Sequence, residues 1–504
     1  MAKEGIRLQY SGFVIFAAKI ISVATGFAFQ YMIARWTTLQ EYGVWFNMSD
    51  IVAYFTILAG VIPFWTMRFV ARGEEGAEKT GILMNFIISM AATFLYIPLI
   101  PSIASALGVQ EYLYLYVLFS VQIIEIHMLN AFEACLTAKR PQVLGYGLLI
   151  EETFKVTLGL TLIVLFQRSL EGAIISLVLA VAVQCIYYLR LLAKDFRQKF
   201  SWTYTKEWLK GSAANVYNVL GNQLAAYIFI MLFAYGGETA RGYYGAAAQI
   251  ASTITYSSFL AFSLTPKLIM DKNVEDVTTS LKTVLMFVIP MTVGALVLPD
   301  LYLAILKPEF KDGWPILIVL AIDAFVSTTS TFFSYVLYGL ERFDEKARIS
   351  FRELAKSRLI IAFSLPYVHA AITLPTAFFV LTTYAQKQPM QSALYVSIIN
   401  SAVHFAMFLI LYALVCKMTR IIIPWKNVAR YIFASVVMGC FLYAIRETLL
   451  GAVYVRVYAI LGVSVAGGLL YLALLATIDE EARALAQSIL REVRLKIVGQ
   501  QTNA

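Results

Sequence analysis

The sequence predicts an all-α polytopic membrane protein with fourteen transmembrane helices, arranged as two six-helix lobes related by an internal parallel repeat plus two C-terminal helices. Composition is the first indication, because 60% of the 504 residues are apolar and only 14% are charged, whereas soluble domains carry about 25% charge. The second is a series of apolar runs, each close to the ~20 residues that a helix needs to cross the hydrocarbon. The third is a similarity between the two halves of the chain.

The apolar runs are separated by short polar turns. Pro366, Pro375, Pro389 and Pro424 interrupt or end the last four runs. A backbone group without a hydrogen-bond partner is costly in lipid, so each run is expected to be helical. The predicted spans are 11–34, 43–69, 81–100, 112–137, 144–166, 172–193, 212–236, 242–266, 281–306, 314–340, 359–381, 391–416, 428–445 and 451–477.

Lys and Arg fall mostly in the loops that share a side with the two termini. Loops of this kind are usually cytoplasmic, so both termini are predicted to be cytoplasmic in a multi-pass protein of the cell membrane. The net charge of +9 is then explained by topology, and no nucleic-acid partner is predicted. The first run is too long for a signal-peptide core and is expected to be retained.

Two polar turns mark the internal repeat. "ARWTTLQEYGVW" follows the first run and "GETARGYYGAAA" follows the seventh, and aligning them places Tyr42 on Tyr243 and Pro98 on Pro299. Spans one to four then fall on spans seven to ten. The predicted domains are an N-terminal six-helix lobe at 1–193, a cytoplasmic linker at 194–211, a C-terminal six-helix lobe at 212–416, two additional transmembrane helices at 417–477 and a cytoplasmic tail at 478–504.

Nothing in the sequence indicates an enzyme. No loop is long enough for a separate soluble catalytic domain, and the three histidines are isolated from one another. Cys135, Cys185, Cys416 and Cys440 lie in predicted spans without metal-ligand spacing, so they are expected to be buried as apolar side chains. No cofactor and no metal is therefore predicted.

Two stretches resemble a known family. "LQEYGVWFNMSDIVAYFTILAGVIPFWTMRFVARGEE" (39–75) resembles the N-terminal signature of polysaccharide-biosynthesis flippases of the O-antigen type, in which an acidic-aromatic-Gly turn opens the second helix. "ARGYYGAAAQIASTITYSSFLAFSLTPKL" (240–268) resembles their eighth helix. Through the layout of six, six and two spans, the resemblance covers essentially the whole chain. It implies the multidrug/oligosaccharidyl-lipid/polysaccharide (MOP) exporter superfamily.

The resemblance implies a flippase that moves a phosphate- or diphosphate-linked oligosaccharide lipid from the inner to the outer leaflet by alternating access. Drug-exporting relatives usually have twelve spans, so the extra pair favours the lipid branch. The alternative is a cation-coupled multidrug exporter. A membrane-embedded glycan polymerase or ligase would need a large outer loop, which this sequence lacks. The predicted partners are the lipid-linked oligosaccharide, membrane lipids and a coupling H⁺ or Na⁺.

Polar side chains repeat along one helical face of two spans. They are Lys19, Ser22, Gly26 and Gln30 on the first span and Asn215, Asn218 and Asn222 on the seventh. Polar groups inside a membrane usually face a cavity or another helix, so these stripes are predicted to bind substrate, with Lys19 on the phosphate and Asp50 beside Lys19. The alternative for any one of them is a hydrogen bond that only holds helices together.

Carboxylates inside the spans are the candidates for ion coupling. Glu125 and Asp323 have no cation nearby in sequence, and burial disfavours a charged carboxylate, which suits reversible binding of H⁺ or Na⁺. An ion pair with a distant residue is the alternative. Glu151 and Lys155 are spaced i, i+4 and are expected to neutralise each other. Arg68, with basic neighbours at the cytoplasmic entrance, is predicted to attract an anionic head group.

Overall fold

A computed structural model of the chain confirms the all-α class, with no strand among the residues that it describes. Those residues are 8–261, 264, 274–340, 359–419, 421–450, 457–480 and 482–483. The predicted tail beyond residue 483 lies outside them.

The helices follow the predicted spans closely. In the first part of the chain they are α1 (Leu8–Trp36), α2 (Leu39–Phe55), α3 (Val61–Ala71), α4 (Ala77–Leu107), α5 (Leu113–Phe119), α6 (Val121–Lys139), α7 (Gln142–Gly159), α8 (Ser169–Leu192), α9 (Trp202–Gly211) and α10 (Ala213–Thr255). They continue with α11 (Val274–Val297), α12 (Pro299–Leu306), α13 (Trp314–Leu340), α14 (Leu359–Thr383), α15 (Pro389–Cys416), α16 (Trp425–Leu450) and α17 (Val457–Ile478).

Ten ranges of the described chain are long and apolar enough to cross a membrane. They are Ala77–Leu107, Gln110–Lys139, Ser169–Leu192, Asn215–Ala261, Glu275–Val297, Pro308–Leu340, Leu359–Thr383, Pro389–Cys416, Trp425–Glu447 and Val457–Ile478. The range Asn215–Ala261 overlaps two of the predicted spans, 212–236 and 242–266. The protein is therefore a multi-pass membrane protein.

Three local features shape the helices around the site. The N-cap residue Thr38 and Glu41 form a capping box that starts α2. The predicted span 43–69 is two helices, because a turn separates α2 from α3. Gly237 divides α10 into a first part (213–236) and a second part (238–255), and its φ of 84° and ψ of 172° are accessible mainly to glycine.

The chain forms two compact units. Unit 1 comprises residues 1–245 and 343–399, and unit 2 comprises residues 246–342 and 400–504. These boundaries describe backbone contacts, whereas the predicted lobes describe a repeat in the sequence, so the lobe division stays a prediction. Within unit 1, α1 packs on α7, α7 on α8, and α3 on both α4 and α6. Within unit 2, α11 packs on α16 and α13, and α16 packs on α17.

Candidate functional site

A buried ion pair joins α2 to the second part of α10. The Arg241 guanidinium donates from Nε to Asp50 Oδ2 at 2.7 Å and from Nη2 to Asp50 Oδ1 at 2.9 Å. Only 5% of Arg241 is exposed. Two parallel hydrogen bonds of this kind combine charge neutralisation with a fixed geometry. Asp50 and Arg241 therefore hold the two helices at one defined position.

Aromatic rings surround the same guanidinium. Its carbon lies 4.8 Å from the centre of the Phe46 ring, 5.2 Å from that of Phe229 and 5.7 Å from that of Tyr244. A cation beside several ring faces is attracted by their quadrupoles, most strongly where water is excluded. Arg241 is thus bound by one carboxylate and by rings from α2 and from both parts of α10.

Glycines allow the two helices to approach closely enough for this pair. A Cβ atom placed on Gly43 would overlap the Glu238 carbonyl oxygen, and one placed on Gly242 would overlap the Leu39 carbonyl oxygen. Because the atoms that such a Cβ would meet belong to the backbone, they could not move aside without displacing a helix. The crossing of α2 with the second part of α10 therefore depends on the absence of side chains at these two positions.

The predicted pairing of Lys19 with Asp50 is wrong. Both Asp50 oxygens accept from Arg241, while the Lys19 side chain is exposed on α1 and interacts electrostatically with Glu133 of α6. Arg241 is the residue that the sequence reasoning missed. It stands in the turn that marks the repeat, but no periodicity in the sequence points from it to Asp50.

Part of the polar face of α1 binds α7. Ser22 donates to Glu152 Oε1 at 2.8 Å, and Thr25 donates to Glu152 Oε2 at 2.6 Å. Lys155 Nζ lies 2.8 Å from Glu152 Oε1 and 3.2 Å from Glu151 Oε1. The expected Glu151–Lys155 pair is confirmed, and Glu152 extends it. For Ser22 the contact that holds two helices together is the correct interpretation.

The other predicted polar residues occupy different surroundings. Gln30 Oε1 accepts a hydrogen bond from the Tyr42 hydroxyl at 3.3 Å. On the first part of α10, Asn215 and Asn218 are half-buried and Asn222 is exposed. Asn222 donates to the Asn218 carbonyl oxygen at 2.9 Å. Side-chain donors and acceptors of these asparagines therefore remain available for hydrogen bonds to a substrate.

Arg68 and its basic neighbours do not form a uniform ring. The Arg68 guanidinium lies 3.7 Å from the centre of the Phe64 ring. Lys139 Nζ is bound by Glu78 at 2.6 Å and by Asp195 at 2.8 Å. Lys139 is therefore part of the packing between helices, whereas Arg68 is half-buried on an aromatic surface.

Glu125 is a buried carboxylate in α6. Only 7% of the residue is exposed, and Gln122 donates a hydrogen bond to it from Nε2. Across the described residues no salt bridge joins Glu125 to a Lys, Arg or His side chain. An ionised carboxylate is costly in such a place, which is consistent with the predicted binding of an ion.

Asp323 has a basic partner that lies 81 positions away in the sequence. His404 Nδ1 of α15 lies 3.1 Å from Asp323 Oδ1 and 3.4 Å from Asp323 Oδ2. For Asp323 the structure therefore shows the alternative that the sequence left open, a basic partner distant in the sequence. Both residues lie near the middle of long helices.

The structure corrects the expected burial of two cysteines, and the expectation that no metal is bound stays a prediction. Within the described part of the chain, no group of His, Cys, Asp and Glu is arranged to hold a metal ion. Cys135 is buried, but Cys416 and Cys440 are exposed on the surface of their helices. In a membrane protein that surface is compatible with contact to lipid, so an apolar role does not require burial within the protein.

These features of the described residues define a multi-pass helical membrane protein with charged pairs inside its spans. The structure is similar to that of the lipid II flippase MurJ in an inward closed conformation, with a TM-score of 0.67, 15% identity and coverage of 93% of this chain and 99% of that chain. It is also similar to an inward-facing multidrug resistance MATE family transporter of the MOP superfamily, with a TM-score of 0.59, 14% identity and coverage of 79% and 95%.

A MATE structure in the straight conformation gives a TM-score of 0.50 at 15% identity and covers 82% of this chain and 96% of that one. No protein-family model matches the sequence, and no curated protein matches it. At these identities the likeness establishes the fold alone. The fold is similar to that of these flippase and transporter structures.

Proposed function

We propose that this protein is a flippase that moves a phosphate- or diphosphate-linked oligosaccharide lipid from the inner to the outer leaflet by alternating access. One observation carries the proposal. The lipid II flippase structure covers 93% of this chain at a TM-score of 0.67, whereas the inward-facing drug transporter covers 79% at 0.59. The difference favours a lipid substrate, as do the two C-terminal helices α16 and α17.

Movement of the substrate requires groups that replace water around a charged phosphate and a hydrated sugar. In this proposal Lys19 contacts the phosphate as a mobile point charge. Gln30 and the asparagines on α10 contact sugar hydroxyls, and Arg68 attracts the head group at the cytoplasmic side. No bond is made or broken, so the protein is proposed not to be an enzyme.

Asp50 acts in this mechanism through Arg241. While Asp50 holds the guanidinium, α2 and the second part of α10 stay together. Arrival of a phosphate offers Arg241 another anion with suitable bidentate geometry. Exchange of Asp50 for phosphate then allows the helices to separate, and the pair forms again after release of the substrate. The cost of leaving either charge unpaired couples separation to substrate binding.

Ion coupling is assigned to Glu125 and to the Asp323–His404 pair. Glu125 is buried without a salt bridge among the described residues, and Asp323 lies 3.1 Å from the His404 ring. H⁺ or Na⁺ bound at either place would alter the local charge and so favour one conformation over another. The protein is proposed to lie in the cell membrane with both termini in the cytoplasm.

The test is reconstitution of purified variants with a lipid-linked oligosaccharide and measurement of its accessibility in each leaflet. Lys19→Ala should slow flipping by roughly ten- to hundredfold, because a hydrogen bond to a charged group contributes about 1.5–3 kcal/mol. Lys19→Arg should retain part of the rate. Lys311→Ala, which removes an exposed lysine elsewhere, is the matched control. A wild-type rate for Lys19→Ala at normal expression would refute the phosphate role.

A cation-coupled multidrug exporter is the second candidate. The likeness to MATE transporters supports it, as do the rings around Arg241. Such a protein would bind aromatic cations through apolar contacts and would not need Lys19. If the protein exports a cationic dye and Lys19→Ala does not change the rate of export, this candidate is favoured over the flippase.

A further inference from the structure

The short helix α9 connects two membrane spans and presents two different faces. It begins after the span Ser169–Leu192 and ends just before the range Asn215–Ala261. Ser201 caps it by accepting from the Tyr204 backbone N–H. With so few residues on either side, α9 must lie at the membrane surface.

One face of α9 is fixed to the protein. Trp208 is fully buried, and its ring lies 5.4 Å from that of Phe69 and 6.0 Å from that of Tyr204. A Cβ atom on Gly211 would overlap the Trp65 ring, and Trp65 Nε1 donates to Ser212 Oγ at 3.0 Å. This face therefore sets the rotation of α9 about its own axis.

The rotation directs a different set of side chains outward. Trp202, Lys206, Leu209 and Lys210 follow one another at helical spacing on the outward face. Trp202 is 67% exposed and Leu209 is 54% exposed. Large apolar side chains in this position are unfavourable in water but suit the boundary between lipid head groups and acyl chains.

The charged residues around the outward face of α9 indicate which kind of surface it contacts. Lys206 and Lys210 are exposed beside Trp202 and Leu209, and Lys194, Arg197 and Lys199 are exposed in the segment that precedes α9. The acidic residues here are Glu207, Asp195, which binds Lys139, and Glu74, which accepts a hydrogen bond from the Tyr204 hydroxyl of α9 at 3.2 Å. An excess of positive charge next to exposed Trp and Leu is complementary to a lipid surface that carries phosphate.

We propose that residues 194–211 form a binding surface for the head groups of anionic phospholipids in the cytoplasmic leaflet. Trp202 and Leu209 enter the interface, and Lys206 and Lys210 bind the lipid phosphates from the same side of the helix. The site shares no residue with the proposed substrate site, although α9 packs on α3, which carries Arg68.

The first test uses the full-length protein in nanodiscs made of phosphatidylcholine with or without phosphatidylglycerol that carries brominated acyl chains. Bromine quenches a tryptophan that enters the interface. The quenched fraction of wild-type emission should exceed that of Trp202→Phe, and the difference should grow with the content of brominated phosphatidylglycerol. Equal quenching of the two proteins would overturn the proposal and would indicate that a protein partner covers this face.

The second test measures the number of phosphatidylglycerol molecules that stay bound to the detergent-solubilised protein. Lys206→Gln with Lys210→Gln should weaken this binding by at least about fivefold, since each basic residue near an anionic surface contributes. Lys307→Gln with Lys311→Gln is the matched control and should bind as wild type does. Unchanged binding by the Lys206 and Lys210 variant would contradict the proposal. Both readouts are independent of flipping, so loss of one function does not imply loss of the other.

Discussion

Arg241 is the residue on which the mechanism depends most. Its guanidinium satisfies both oxygens of Asp50 and lies among three aromatic rings. Removal of one member of a buried pair leaves the other charge without compensation, which typically costs about 3–5 kcal/mol. In the proposed mechanism the pair stabilises one conformation and must break before the next one forms.

Arg241→Ala is predicted to lower the thermal stability of the purified protein strongly, because Asp50 is left unpaired. Asp50→Asn together with Arg241→Gln should recover most of the loss, since amides can hydrogen-bond without charge. Differential scanning fluorimetry in detergent measures both. Arg168→Ala is the control, because the Arg168–Glu171 pair is exposed and contributes little. Equal stability of Arg241→Ala and Arg168→Ala would show that the buried pair has no such role.

Asp323→Asn is predicted to remove the dependence of transport on an ion gradient while the protein still reaches the membrane. The amide keeps the shape of the side chain and a hydrogen bond to His404, but it cannot titrate. Ser327→Ala, one turn further along α13, is the control. Gradient-driven transport at the wild-type rate, or failure of Asp323→Asn to accumulate, would assign Asp323 a structural role.

The charged pairs also show which side-chain contacts can be predicted from the sequence and which cannot. Glu151 and Lys155 were identified correctly because both lie on one helix, so their spacing determines their contact. Asp50 and Arg241 are 191 positions apart, and Asp323 and His404 are 81 apart. Contacts of that kind depend on which faces of two helices meet, and sequence periodicity alone does not specify this.

At the scale of elements, the decisive feature is the crossing of α2 with the second part of α10. The spans themselves could be predicted because length and apolarity are local properties. The division of the second span into α2 and α3 could not, since the turn at 56–60 lies within a continuous apolar run. The close approach at Gly43 and Gly242 was also missed, because two glycines give no sign of which backbone they will meet.

Gly242→Ala is predicted to lower stability by roughly 1–3 kcal/mol, the usual cost of overpacking. The new methyl group would overlap the Leu39 carbonyl oxygen and push α2 away from Arg241. Gly26→Ala is the matched control, because nothing lies within 4 Å of a Cβ atom at that position. The measurement is the thermal unfolding of the two purified variants. If Gly242→Ala is as stable as Gly26→Ala, the two helices are not closely packed in the protein.

For the whole molecule, the proposed direction of transport rests on the predicted topology. On a background without native cysteines, a cysteine at Lys311 should react with an impermeant thiol reagent from outside the cell, and one at Lys206 should not. The reason is the excess of Lys and Arg on the side of the termini. Reaction at Lys206 but not at Lys311 would reverse the orientation and with it the proposed inner-to-outer movement.

The measurement that tests the central claim most directly is a leaflet-accessibility assay in proteoliposomes. A lipid-linked oligosaccharide with a fluorescent group is placed in one leaflet, and a membrane-impermeant quencher reports its arrival in the other. The wild-type protein should move it well above the rate in empty liposomes, and Lys19→Ala should not. A wild-type rate equal to that of empty liposomes, with efflux of a cationic dye by the same preparation, would contradict the flippase and identify a drug exporter.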